Sequence, residues 1–219
     1  MLAYQFLNQV PQKKGRQTGL TMVLDKGLGL NQTTDLIQTA GQYIDFVKFG
    51  WGTSATIERD LIKVKAQKYT TAGIKPYPGG TLLEVALLNN QLDEFFTETK
   101  ALGFKAVEVS DGSTDIPAPK RRSVIQQAKA NGFGVISEVG KKNPELDHQL
   151  SIQTRLAEIK ADLAAGSDLV IIEAREAGKN IGIYDADGNI IEQELDQLAS
   201  AGVDKLIFEA PLKKQQVNL

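Results

Sequence analysis

Two periods alternate along this chain. In "IERDLIKVKAQKYT" (57–70), "LDEFFTETKAL" (92–102), "KRRSVIQQAKA" (120–130), "IQTRLAEIKADLA" (152–164) and "IEQELDQLAS" (191–200), apolar residues recur three and four positions apart. That spacing predicts amphipathic helices. Between these stretches lie short apolar runs, each preceded by a glycine: "TAGQYIDFVKFG" from 39, "TAGIKPYPGG" from 71, "ALGFKAVEVSDG" from 101, "ANGFGVISEVG" from 130, "AAGSDLVIIEAR" from 164 and "SAGVDKLIFEAP" from 200. The glycines, at 41, 73, 103, 132, 166 and 202, are spaced by 29 to 36 residues. A glycine in that place commonly supplies the left-handed residue that ends a helix, so the repeating unit reads helix, glycine stop, strand. "GLTMVLDKG" (19–27) brings the strand count to seven.

Strands that alternate with helices run parallel, and right-handed crossovers repeated every ~30 residues curl a sheet closed. The expected fold is therefore α/β, a (β/α)8 TIM barrel forming one domain over residues 1–219, with 1–18 as an N-terminal extension. An open doubly wound sheet is the alternative, but the Gly-x-Gly-x-x-Gly turn usual after its first strand is missing. "GKNIGIYDADGNII" (178–191) holds an Asp-Gly turn signal and predicts a small hairpin inserted after strand 6. After strand 7 only "LKKQQVNL" remains, too little for a helix and an eighth strand, so the eighth unit is expected to be incomplete in this chain.

Active sites of such barrels gather at the carboxyl ends of the strands. Strand 1 ends in Asp25 and Lys26, strand 2 contains Lys48, and strand 3 reaches Tyr77 and a glycine pair; strand 4 carries Glu108, Ser110 and Asp111, strand 5 Glu138, strand 6 Glu173 and Arg175, and strand 7 Glu209. Side-chain alternation turns Val107 and Val109 to the helix layer and Glu108 and Ser110 inward, and groups Leu169, Ile171, Glu173 and Arg175 on one face. Carboxylates packed together repel one another unless a cation or a lysine offsets them. Oxygen donors without His or Cys favour Mg²⁺ over zinc. Lys48, inside an otherwise apolar strand, needs a carboxylate or an anionic ligand. Lys26, Lys141, Lys142, Arg175 and Lys179 also follow strand ends, where they suit a small, multiply anionic substrate. The glycines of "GWGTS" and "YPGGT" let backbone amides approach a ligand closely, and Trp51 is expected to pack.

Composition removes several classes of function. Lys and Arg number 25 against 27 Asp and Glu, a net charge of -2, which leaves no basic footprint for nucleic acid. The start "MLAYQFLNQV" lacks the basic opening of a signal peptide, and no apolar run approaches the ~18 residues that cross a bilayer. No membrane partner is expected, and the cytoplasm is the expected compartment. With no cysteine and the single histidine His148, thiolate chemistry and multi-histidine metal sites are excluded, and acid–base work falls to Asp, Glu, Lys or Tyr.

The strings "LTMVLDKGL", "YIDFVKFGWGTSA", "KPYPGGTL", "AVEVSDGSTDI", "EVGKK", "VIIEAREAGKNIG" and "IFEAP", followed by "QQV", resemble the phosphosulfolactate synthase family from about residue 18 onward. The resemblance implies a βα barrel laid out like the enolases and a carbon–sulfur lyase that adds sulfite to phosphoenolpyruvate with Mg²⁺. The product would be (2R)-2-O-phospho-3-sulfolactate, which in methanogens opens coenzyme M synthesis. It implies Lys142 as proton donor, with Lys141 the weaker candidate. Glu108, Glu138 and Glu173 are assigned to the metal, Lys48, Arg175 and Lys179 to phosphate and carboxylate, and Asp25 and Lys26 to orienting the substrate, with Ser110 and Lys141 at its edge. A homo-oligomer is implied, with a trimer the expected order, and a further carboxyl-terminal stretch to complete the barrel. Two other readings stay open: another barrel lyase or aldolase on a phosphorylated enol substrate, and a non-catalytic relative of heat-stress type.

Overall fold

A computed structural model describes residues 4–7 and 14–219; of the 1–18 extension, residues 1–3 and 8–13 lie outside the described residues. The elements follow one another as β1 (Met22–Asp25), α1 (Leu30–Ala40), β2 (Phe46–Phe49), α2 (Thr53–Thr56), α3 (Arg59–Thr71), β3 (Lys75–Pro78), α4 (Gly80–Leu88), α5 (Leu92–Ala101), β4 (Ala106–Val109), α6 (Ala118–Ala130), β5 (Gly134–Val139), α7 (Pro144–Asp147), α8 (Ile152–Ala165), β6 (Leu169–Ile172), α9 (Glu192–Ala199), β7 (Leu206–Phe208) and α10 (Lys213–Asn218). No helix among the described residues is long and apolar enough to cross a membrane.

Helix boundaries have local causes. Ser151 caps α8 by accepting from the Thr154 amide at 3.1 Å, and Gly166 ends it with φ 115°. Of the six repeated glycines, Gly73, Gly103, Gly132, Gly166 and Gly202 have positive φ. Gly41 does not: at φ −55° it carries α1 into a 3-10 turn, so there the glycine is not a left-handed stop. The insertion 178–191 forms the expected turn, with antiparallel bridges Ile181 to Tyr184 and Tyr184 to Ile190.

All the ladders are parallel, in the order β1-β2-β3 and β4-β5-β6-β7. The break between β3 and β4 has a chemical cause. The amides of Lys75 and Gly79 donate to Asp45 and Phe49 on the β2 side, so Pro76 and Pro78, of opposite parity, stand where donors to β4 would be. Proline has none to give. One bond, from the Lys105 amide to the Pro76 carbonyl at 3.2 Å, still joins the neighbours. No eighth strand occurs among the described residues, and β7 and β1 are not paired; the chain after β7 nevertheless supports the short helix α10.

Strands β2, β4, β5 and β6 bury both faces. Val47, Val107, Val109, Val135, Val139, Val170 and Ile172 face outward into the helix layer. Phe46, Tyr77, Ala106, Ile136, Leu169, Ile171 and Ile207 form a second apolar cluster between the strands. Full burial of each such side chain is worth about 1.5–3 kcal/mol relative to exposure. The inner cluster closes the amino-terminal side of the barrel interior and leaves polar positions above it.

Asp25 departs from the expectation that it orients substrate. It ends β1 but shares parity with Val23, which packs in the outer cluster, so its carboxylate points into the helix layer. There it accepts from Lys65 Nζ at 2.9 Å, from the Tyr69 hydroxyl at 3.0 Å and from the amides of Gly27 and Leu28. Both Asp25 and Lys65 are fully buried. Removing one partner strands a buried charge, so Asp25→Ala is expected to destabilise the fold by about 3–5 kcal/mol in urea unfolding; an unchanged midpoint would show that Lys65 finds another partner.

Candidate functional site

The strand register raises the charged positions in a staircase. Glu108 pairs with Ile136, Glu138 two residues on pairs with Ile171, and the amides of Glu173 and Glu209 donate to Val139 and Ile172. The inward acids therefore stand above the apolar cluster, around Lys48 of β2. Its Nζ lies 2.9 Å from Glu108 Oε2, 2.8 Å from Glu138 Oε2 and 3.6 Å from Glu209 Oε1. A lysine 8% exposed in an apolar strand is stable only with such partners. Burial alone would lower its pKa, and the charges of Glu108, Glu138 and Glu209 reverse that and lift it well above the usual lysine range. Lys48 therefore stays protonated and organises the centre.

The acids share the remaining charge unequally. Burial pushes Glu173 up to about 10, with Glu138 and Glu209 adding to it, and pushes Glu108 up to about 7 against the pull of Lys48. Burial also pushes Glu138 up, but Lys48 and Lys142 outweigh it and keep this carboxylate ionised. One lysine does not balance four acids. Glu138 Oε1 and the Tyr77 hydroxyl are buried without a hydrogen-bond partner, an unusual state for polar atoms in a core.

That imbalance, an orphaned carboxylate oxygen and an all-oxygen donor set fit a hard divalent cation such as Mg²⁺. Glu108, Glu138 and Glu173 are the acids that would hold it. Among the described residues no three acids are already gathered as a cation cage; the fit is one of donor chemistry and charge.

The rim around this centre separates the two adjacent lysines. Lys141 Nζ is held by the Asp111 carboxylate at 2.8 Å, the Asp111 carbonyl at 3.0 Å and the Thr114 carbonyl at 3.2 Å. Its backbone amide donates to Asp147, which also takes the Gly182 amide and pairs with Arg155. Asp111 is fixed in turn by Arg121, whose guanidinium also holds Asp162 and the Glu138 carbonyl. Lys142 Nζ has one close acceptor, Thr81 Oγ1 at 2.8 Å, and lies 3.9 Å from Glu84. Two ammonium protons of Lys142 are thus left for another acceptor, whereas Lys141 holds its loop in place.

A family model described as "ComA: (2R)-phospho-3-sulfolactate synthase" matches residues 9–219. The chain belongs to the phosphosulfolactate synthase family. It is 53% identical over 218 residues to the phosphosulfolactate synthase of Methanocaldococcus jannaschii, covering 99% of this chain and 85% of that one. It is 46% identical to that of Methanothermobacter thermautotrophicus, covering 99% and 84%. Among solved structures, 3-hexulose-6-phosphate synthase from Salmonella typhimurium aligns with a TM-score of 0.53 at 16% identity, covering 90% of this chain and 81% of that one, a likeness of βα-barrel fold.

Within this phosphosulfolactate synthase family chain, the remaining expected site residues are spread more widely. Ser110 is buried and donates to Glu84 Oε1 at 2.6 Å. Lys26 reaches Glu176 and lies 4.9 Å over the Trp51 ring, so Trp51, 64% exposed, is a rim residue and not the packed one expected. Arg175 and Lys179 are exposed: β6 ends at Ile172, and Arg175 at φ 55° has left the strand alternation that would have aimed it inward. The glycine-pair amides are engaged within the protein, Gly79 with Phe49 and Gly80 with Glu108 at 2.7 Å. Glu84, Thr81 and Arg121 escaped sequence reasoning; a lone acid in the apolar run "TLLEVALL" was the signal for Glu84.

Lys48→Met leaves Glu108 and Glu138 buried without their cation and is expected to lower stability by about 3–5 kcal/mol. Adding Glu138→Gln should return part of that loss in the same urea titration; strict additivity of the two changes would contradict the pairing.

Proposed function

We propose that this chain adds sulfite to phosphoenolpyruvate, giving (2R)-2-O-phospho-3-sulfolactate, with Lys142 as the proton donor. The observation that carries this reading is the contrast at "EVGKK": Lys141 is tied by three oxygens, while Lys142 keeps one close acceptor beside the buried acids. In the reaction the sulfite sulfur forms a bond to the methylene carbon of phosphoenolpyruvate. The double-bond electrons move to the phosphate-bearing carbon and its carboxylate, and a proton then adds to that carbon. No group leaves, and the phosphate ester is kept.

Lys142 Nζ delivers that proton and recovers one from water, which suits a lysine at the rim with hydrogen-bond capacity in reserve. Glu108, Glu138 and Glu173 would hold Mg²⁺, which when bound would supply positive charge for the substrate carboxylate as negative charge builds there. Lys48 keeps Glu138 ionised and orients both Glu138 and Glu108, and the apolar cluster beneath excludes water from below. Lys26, Arg175 and Lys179 meet the multiply anionic substrates at the outer rim, where guanidinium suits phosphate or carboxylate. The family membership supports this reaction class over the barrel aldolases that share the fold. A cytoplasmic homo-oligomer belongs to the same proposal.

Turnover of phosphoenolpyruvate and sulfite with Mg²⁺, followed by phosphorus and proton magnetic resonance of the product, is the direct assay. Lys142→Ala is expected to lower kcat by about 10²- to 10⁴-fold with KM for phosphoenolpyruvate little changed. Absence of the sulfonated product with the unaltered protein, or full turnover by Lys142→Ala, would overturn the reading.

A further inference from the structure

We propose that Glu84 is the positioning residue for Lys142, acting on the ammonium and on the loop over which that side chain lies; this rests on Lys142 being the proton donor. Glu84 sits on α4, outside the ring of strand-end acids, and is 1% exposed. A carboxylate removed from water to that degree is stable only when its oxygens are matched by donors. Its matches all come from one neighbourhood: Ser110 Oγ donates to Oε1 at 2.6 Å, and the Ser113 amide and Thr114 Oγ1 donate to Oε2 at 3.0 and 2.8 Å. These three donors span the start of the loop after β4. The ion-pair partner of Glu84 is Lys142, at 3.9 Å from Oε1.

The same loop supports the lysine stem. Lys142 donates its backbone amide to the Gly112 carbonyl at 3.0 Å. A methyl group at Gly112 would lie 3.1 Å from both Cγ and Cε of Lys142, so the stem crosses bare backbone between Ser110 and Ser113. At the head, Thr81 and Glu84 lie three residues apart on α4 and therefore share a face. Thr81 takes one ammonium proton at 2.8 Å. Glu84 attracts the charge from a distance too long for a hydrogen bond. An ammonium steered this way has a fixed place and keeps protons to give. A tighter carboxylate contact would hold them, as Asp111 does for Lys141.

The alternative is that Glu84 only staples the loop. A double-mutant cycle on the full chain separates the two, with thermal unfolding measured on every variant. Glu84→Gln is expected to lower kcat roughly tenfold, the size of coupling seen between residues in contact, with KM for phosphoenolpyruvate little changed. In the Lys142→Ala background the same substitution should cause no further loss of kcat. An equal loss in both backgrounds, or no loss in either, overturns the proposal. Gly112→Ala disturbs the stem from the other side without touching a buried charge, and decides the matter if Glu84→Gln does not fold: its kcat loss should likewise vanish when Lys142 is alanine, and persistence of that loss would overturn the proposal. Full turnover by Lys142→Ala alone would instead sink the proton-donor assignment, an outcome distinct from these.

Discussion

The architecture of the site depends on one buried charge. Lys48 interrupts the apolar strand "FVKF" and brings an ammonium into the barrel interior, where isolation from water would be prohibitive. Glu108 and Glu138 meet it at 2.9 and 2.8 Å, and Glu209 completes the surround at 3.6 Å. These acids come from β4, β5 and the residue that follows β7, so the pairing ties β2 to β4, β5 and the end of β7 across the interior. It therefore spans the prolines of β3, where the ladder lacks donors. The ionic centre does between the two sheets what backbone hydrogen bonds do within each.

A centre with more acid than base suits the cation and the anionic substrate proposed for it. Glu173, pushed up to about 10 by burial and its neighbours' charges, and the orphaned Glu138 oxygen mark the imbalance. Above it the polar contacts form two systems. Arg121, Asp111, Asp162 and Lys141 lock the loops after β4 and β5 to the helix layer. Thr81, Glu84, Ser110 and Lys142 form a looser set with hydrogen-bonding capacity left over. A rigid frame around a less constrained lysine suits the proton transfer proposed for Lys142.

Much of this was legible in the chain. The glycine-punctuated period gave the alternation of helix and strand, and parity correctly turned Glu108 inward and Val107 outward. The lysine in an apolar strand announced that it needed acids. What was not legible came from geometry beyond the local pattern. Asp25 looked like its strand-end counterparts, but one step of parity faces it to Lys65. Arg175 was counted by alternation past the point where β6 stops. The Gly80 amide read as free for a ligand, yet it serves Glu108. Glu84 acquires meaning only once α4 lies against the loop after β4, a contact between segments 26 to 30 residues apart.

We propose that the acids around Lys48 form the cation and substrate centre. Crystals soaked with phosphoenolpyruvate and Mn²⁺ in place of Mg²⁺, with anomalous diffraction to locate the metal, test it most directly. Manganese is expected to bond to Glu138 and to Glu108 or Glu173, with Lys142 Nζ beside the phosphate-bearing carbon. Metal bound away from all three acids, or substrate out of reach of Lys142, would contradict it.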